Sequence, residues 1–246
     1  MIEVENLTKY YGPRRAINNL TFQVAQGEVV GFLGPNGAGK STTMNILSCI
    51  LSASSGTARI RGYDTFEHSL EIRKIIGYLP ETPPLYPDMS VRDYLMFAAQ
   101  IRGMTGKQTG NAIEKVIESC SLKDAGHRII GRLSKGYQQR VGLAQAMVHD
   151  PDILILDEPT LGLDPIQIIE IRKLIQDLAA SHTIILSSHI LPEITQICQR
   201  VIIINEGEIA AVDSLEGLTA SLRKSARLSL TVRNENNAIE EKLAAL

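Results

Sequence analysis

The chain has no basic surplus. Its 25 lysines and arginines are outnumbered by 27 aspartates and glutamates, for a formal net charge of −2 over 246 residues. A composition with no net positive charge gives nucleic acid no electrostatic footprint, so no nucleic-acid partner is expected. Long apolar runs are missing as well: nothing approaches the roughly 18 uninterrupted apolar residues of a membrane-spanning helix. The first residues, MIEVENLTKYYG, lack the basic start and apolar centre of a secretory leader. Cysteine is scarce, and Cys49, Cys120 and Cys198 lie far apart with no CxxC pair. That spacing argues against a disulfide frame or a zinc site and for reduced thiols packed as small hydrophobes. These absences predict a soluble, cytosolic protein. Its 44 % hydrophobic content suffices for one large domain or two tightly joined lobes.

What is present is an alternation of strands and helices. IEVENLTKYY and AINNLTFQVAQGE read as strands, the second ending at a turn near Gly27. VVGFLG reads as a buried strand and KSTTMNILSCIL as the helix after it. TARIRGYD reads as a further strand, and EIRKIIGYLPE as a helix end leading into another. From Val91 the pattern turns helical in VRDYLMFAAQIRG, NAIEKVIESCSL and GYQQRVGLAQAMV. After Pro151 the alternation returns. ILILDE is an apolar strand, and the helix behind it has Asp164 as N-cap and Pro165 at its first position. TIILSSH, RVIIIN and EIAAV follow as strands, with ILPEITQIC as a helix. Buried apolar strands alternating with helices imply an α/β fold with a mainly parallel sheet, into which a helical lobe at about 88–150 is inserted. The domain is expected over residues 1–220. In the extension 221–246, RLSLTV suggests a strand and AIEEKLAAL a helix, and a βα pair without a closing strand suggests a truncated chain.

Three stretches carry chemistry. Gly34-Pro35-Asn36-Gly37-Ala38-Gly39-Lys40-Ser41-Thr42 fits G-x-x-x-x-G-K-[ST]. Its glycines let successive N–H groups converge on phosphate, at the positive end of the following helix. Lys40 is placed to reach β- and γ-phosphates, and the Ser41 hydroxyl to ligate Mg²⁺. Ile153-Leu154-Ile155-Leu156-Asp157-Glu158 ends an apolar strand in two carboxylates. The first is suited to hold Mg²⁺ and the second to orient or deprotonate a water. The third is Leu133-Ser134-Lys135-Gly136-Tyr137, which opens an amphipathic helix.

Taken together, these stretches make the chain resemble an ATP-binding cassette (ABC) ATPase, the nucleotide-binding subunit of an ABC transporter. The resemblance covers about residues 2–220. It implies a P-loop NTPase core, an N-terminal antiparallel β subdomain and an inserted helical subdomain. The usual LSGGQ is altered to LSKGY, but Ser134 and Gly136 match the positions that grip the γ-phosphate held by a second copy. Tyr11 falls where the family stacks an aromatic ring on adenine. Asp164 falls in the D-loop that communicates across the dimer, and His189 at the switch that contacts the γ-phosphate. His68, His127, His149 and His182 match no motif and read as surface or packing residues.

The departure from the family pattern is Glu81, where a glutamine is usual. A carboxylate there can ligate Mg²⁺ but adds charge near the γ-phosphate, a repulsion of about 4 kcal/mol at ~4 Å and an effective dielectric of ~20. Glu81 is therefore expected to make nucleotide binding strongly dependent on Mg²⁺. The Pro-rich segment from Pro80 to Pro87 resembles the branch serving ABC-2-type exporters and gliding-motility or multidrug-type ATPases.

The resemblance implies an ATPase that binds ATP and Mg²⁺, pairs with a second copy and drives an integral membrane permease on the inner face of the cell membrane. Glu158, His189 and Lys40 would be catalytic, and Ser41, Asp157 and Glu81 would form the metal shell. Two alternatives remain: an ABC ATPase acting outside transport, and a nucleotide-gated switch that holds ATP without turning it over.

Overall fold

Alternating and continuous apolar patterns build two different sheets. The computed structural model describes residues 1–214 and Gly217; the strand RLSLTV and the helix AIEEKLAAL expected from the sequence lie outside the described residues. β1 (Ile2–Tyr11) and β2 (Arg14–Val24) alternate buried and exposed side chains, as strands with one solvated face do. β3 (Val29–Leu33) is buried on both faces and leads through the glycine loop into α1 (Lys40–Leu47). β4 (Ser55–Ile60) and β5 (Tyr63–Asp64) follow, then α2 (Ser69–Ile75) and β6 (Ile76–Leu79). The helical lobe comprises α3 (Val91–Ile101), α4 (Gly106–Ser119) and α5 (Lys135–Met147). β7 (Ile153–Leu156), α6 (Pro165–Ala179), β8 (Thr183–Ser188), α7 (Leu191–Ile194), β9 (Arg200–Asn205) and β10 (Glu208–Ser214) complete the described elements.

The first sheet is antiparallel, in the order β2-β1-β4-β5. The second runs β10-β9-β3-β8-β7-β6, parallel throughout except for β10, which pairs antiparallel with β9 at the edge. Residues from both sheets share one core, including Leu7, Leu20, Phe32, Met44, Ile155 and Ile202. Each such side chain stabilises the fold by about 1.5–3 kcal/mol through removal from water. Cys49, Cys120 and Cys198 are all buried free thiols, and burial pushes each pKa up, to about 11, 12 and 12.

One element is shorter than its sequence pattern. ILPEITQIC reads as a helix of two turns or more, yet α7 spans only Leu191–Ile194. Gln199 explains the difference. Its side-chain carbonyl accepts from Val29 N at 2.6 Å and its N–H donates to Val29 O at 3.1 Å, drawing the chain into β9. Ile194 and Cys198 meanwhile press against β3, where a Cβ on Gly31 would sit 2.3 Å from Ile194 Cγ2.

Candidate active site

The parallel strand order brings the motifs together. β3, β8 and β7 are neighbours, so the segments after their C-terminal ends emerge along one edge of the sheet. These are the glycine loop, the turn carrying His189 and the pair Asp157-Glu158. Such an edge is where open α/β sheets hold ligands.

Gly39 shapes the loop. Its φ is +105°, and a Cβ there would lie 2.5 Å from Ile17 Cγ2 and 2.8 Å from Ala16 O. Glycine alone fits both the angle and the space. α1 begins directly after it without a side-chain cap, so its first N–H groups are left for a ligand. Lys40 folds back over the loop, its Nζ donating to Gly34 O at 2.8 Å and to Pro35 O at 3.2 Å.

The two carboxylates part at the end of β7. Asp157 is buried and accepts a 2.5 Å hydrogen bond from Ser187 Oγ. Burial pushes its pKa above the usual aspartate value and the Glu158 charge adds to this, while hydrogen bonds from Ser187 and Ser41 and the Lys40 charge oppose it. Glu158 adopts φ +46°, a left-handed turn unusual outside glycine. The turn is fastened by Glu158 N donating to Ser187 Oγ at 2.9 Å and by Leu161 N donating to Glu158 O at 3.1 Å. The Glu158 side chain thereby reaches between two cations or potential cations. Lys40 Nζ is 3.2 Å from Oε1 and His189 Nδ1 is 2.9 Å from Oε2. The Lys40 contact is ionic only, because Oε1 accepts no hydrogen bond of good geometry.

A cleft of about 420 Å³ opens above these groups. Of the residues singled out from sequence, Tyr11, Asn36, Gly37, Gly39, Lys40, Ser41, Thr42, Glu81, Glu158 and His189 line it. Gly34, Pro35 and Ala38 do not line it. Gly34 N donates to Ser188 O at 3.3 Å, and Ala38 is buried with its carbonyl accepting from Gly207 N at 3.1 Å. Asp157 is buried and does not line the cleft, and Ser41 is near enough to favour its ionised form. Ser134 and Gly136 are not in this cleft. They line a separate polar pocket with Tyr137, Arg140, Gln167 and Glu170. Asp164 lines neither pocket; its carboxylate caps α6, accepting from Ile166 N at 3.0 Å and Gln167 N at 2.9 Å.

Four functional side chains escaped the sequence reading. Ser187 ties Asp157 to the backbone of Glu158, and Ser188, Thr160 and Glu193 form a buried cluster behind His189. The available signal was the pair Ser187-Ser188 closing a fully buried apolar strand, because buried hydroxyls need partners. Arg14 and Leu161 also line the cleft.

The donor set suits a hard divalent cation. A hydroxyl and a buried carboxylate, Ser41 and Asp157, lie together, the hard oxygen donors that such an ion prefers. Among the described residues no group of three or more His, Cys, Asp or Glu could hold a metal alone, so phosphate and water would complete such a shell.

Comparison with known proteins identifies the family of the chain. The family described as ABC transporter matches residues 17–161. The bacitracin transport ATP-binding protein BcrA of Bacillus licheniformis is 40% identical over 237 residues, 96% of this chain and 76% of that protein. The Nod factor export ATP-binding protein I of Paraburkholderia xenovorans (strain LB400) is 36% identical over 225 residues, 89% of this chain and 73% of that protein. The dimeric structure of MJ0796, a bacterial ABC transporter cassette, superposes with a TM-score of 0.78 at 26% identity, covering 87% of this chain and 99% of that one. MJ0796 has also been solved in a post-hydrolysis state bound to ADP and Pi.

Proposed function

This chain belongs to the ABC transporter family, and on that premise we propose that it powers export through a separate membrane subunit, against whose cytoplasmic side it sits. It is an ATP-binding, ATP-hydrolysing subunit of such a transporter. Among the described residues no helix is long and apolar enough to cross a membrane. The proposed membrane subunit carries the path for cargo. The relative named for Nod factor export supports the outward direction. The segment Pro80–Pro87 is the proposed contact to the membrane subunit.

The observation that carries the site assignment is Glu158 held between Lys40 and His189. ATP enters with its adenine against Tyr11 and its phosphates against the N–H groups of Gly37 and Gly39 to Thr42. Lys40 then turns from Glu158 to the β- and γ-phosphates. Oε1 of Glu158 is freed to take a proton from water, whose oxygen attacks the γ-phosphorus while the bond to the β-phosphate oxygen breaks. His189 keeps the carboxylate in place through Oε2 and presents its other edge to the cleft. Ser41 and Asp157 would hold Mg²⁺, which when bound neutralises phosphate charge, and Glu81 stands at the rim. The second copy closes the site with its own Ser134 and Gly136, and the turn ending at Asp164 adjoins that junction. That pairing accounts for Ser134 and Gly136 lying outside the cleft of their own chain.

The test is steady-state phosphate release by wild type, Glu158→Gln and His189→Ala. Loss of turnover in both variants is expected. Equal rates in wild type and Glu158→Gln would remove Glu158 from the chemistry.

A further inference from the structure

Glu193 is 7% exposed, and no described residue forms an ion pair with it. Its Oε2 accepts two hydrogen bonds, from Thr160 Oγ1 at 2.7 Å and from Ser188 Oγ at 3.0 Å. Ser188 Oγ in turn accepts from Ile190 N at 3.0 Å. The partners belong to two different loops. Thr160 stands two residues after Glu158 and its carbonyl accepts from Leu163 N at 3.3 Å, inside the turn that ends at Asp164. Ser188 and Ile190 flank His189 on either side. One carboxylate oxygen therefore joins the loop of the general base to the loop of the switch histidine.

The chemistry of the joint is one-directional. A carboxylate only accepts, so both hydroxyls must donate to it, which leaves the Ser188 oxygen free to receive the Ile190 N–H. Hydrogen bonds to an ionised acceptor are stronger than neutral ones, whereas a buried charge without a cation is costly unless such bonds satisfy it. A leucine at this position of α7 would fill the space without that cost, but it would leave the two loops unlinked.

We propose that Glu193 is a positioning residue for hydrolysis, setting the spacing between Glu158 and His189 and, through Thr160, the turn that adjoins the second copy. The inference rests on the roles given above to Glu158 and His189. Glu193 is not among the residues that line the cleft. Its removal acts on the rate of the chemical step and leaves nucleotide binding by the loop of Gly34 to Thr42 in place.

Glu193→Gln, Thr160→Val and Ser188→Ala test this, with Glu158→Gln and His189→Ala in the same assay. A loosened geometry lowers kcat by about 10- to 100-fold. The Kd for a fluorescent ATP analogue, read without turnover, stays within about threefold of wild type. Thr160→Val and Glu193→Gln act on one link, so the double variant is expected to fall little below the worse single one. Unchanged kcat in Glu193→Gln and Thr160→Val overturns the proposal. So does a parallel fall of kcat, nucleotide affinity and melting temperature in all three variants, which would reduce Glu193 to a packing role. If Glu158→Gln and His189→Ala also turn over at the wild-type rate, the underlying site reading fails. If those two are inactive while the Glu193 variant is not, only the positioning role is lost.

Discussion

Lys40 Nζ lies 3.2 Å from Glu158 Oε1, both side chains almost wholly buried, so the cation suited to phosphate and the carboxylate suited to water occupy each other. In the proposed roles, nucleotide separates them before either acts. A buried pair broken without replacement leaves costly uncompensated charge, but here the incoming phosphates supply the replacement for Lys40.

Glu158→Gln removes the competitor. ATP affinity is expected to rise by about tenfold as Lys40 is released, in a variant that no longer turns over, a gain of about 1.4 kcal/mol. Titration with a fluorescent nucleotide analogue reads it. Weaker binding in the glutamine variant would show that the ion pair organises the loop instead of blocking it.

Glu81 is exposed at the rim of the cleft. Solvent therefore screens the repulsion of about 4 kcal/mol expected from sequence down to about 1 kcal/mol. Glu81→Gln should tighten ATP binding by about fivefold without Mg²⁺ and by less than twofold with it. Isothermal titration in EDTA and in Mg²⁺ gives the two ratios, and equal ratios would separate Glu81 from the metal.

Ser187→Ala takes a donor from Asp157 and an acceptor from Glu158 N at once. Leaving buried polar groups unpaired costs about 1–3 kcal/mol. Chemical denaturation should show that loss, and phosphate release should fall with it because both carboxylates lose their anchor. Full stability and activity in this variant would contradict the geometry.

His149 supplies a pH dependence away from the site. Burial beside Arg102 pushes its pKa down from 6.5 to about 4, although a hydrogen bond to Ile76 O at 2.9 Å opposes the shift. Above pH 6.5 the folded and unfolded chains both carry neutral His149, and its titration costs nothing. As pH falls from 6.5 toward 4 the unfolded chain takes up a proton that the native chain refuses. Stability then drops by about 1.4 kcal/mol per pH unit. Urea midpoints at pH 7.5 and pH 5 should diverge by less in His149→Gln than in wild type, and an equal divergence would discard the assignment.

Much of the site was legible because its determinants are local. The glycines of Gly34 to Gly39 specify a loop by themselves, and Asp157-Glu158 at the end of an apolar strand specifies where two carboxylates emerge. Ser187, Ser188, Thr160 and Glu193 could not be read in the same way. Ser187 takes its meaning from Asp157, 30 positions away, and Thr160 from Glu193, 33 away, pairings that only the neighbouring of β7 and β8 brings near. α7 shows the same limit. Its helical spacing is real, yet the pairing of Gln199 with Val29 decides where the helix stops. Asp164 was legible as a helix cap, and the structure spends both of its hydrogen bonds there on its own backbone.

Ser134 and Gly136 lie in one pocket of the chain, and the Gly34–Thr42 loop lies in another. On the proposed assembly of the site from two chains, free subunits in dilute solution are second-order catalysts. Their phosphate release per millilitre rises with the square of protein concentration until the paired state saturates. In the proposed transporter, docking two copies on one membrane partner replaces that collision by an effective concentration in the millimolar range. Turnover then becomes first-order in assembled transporter, and ATP is little spent by subunits that have no partner to move.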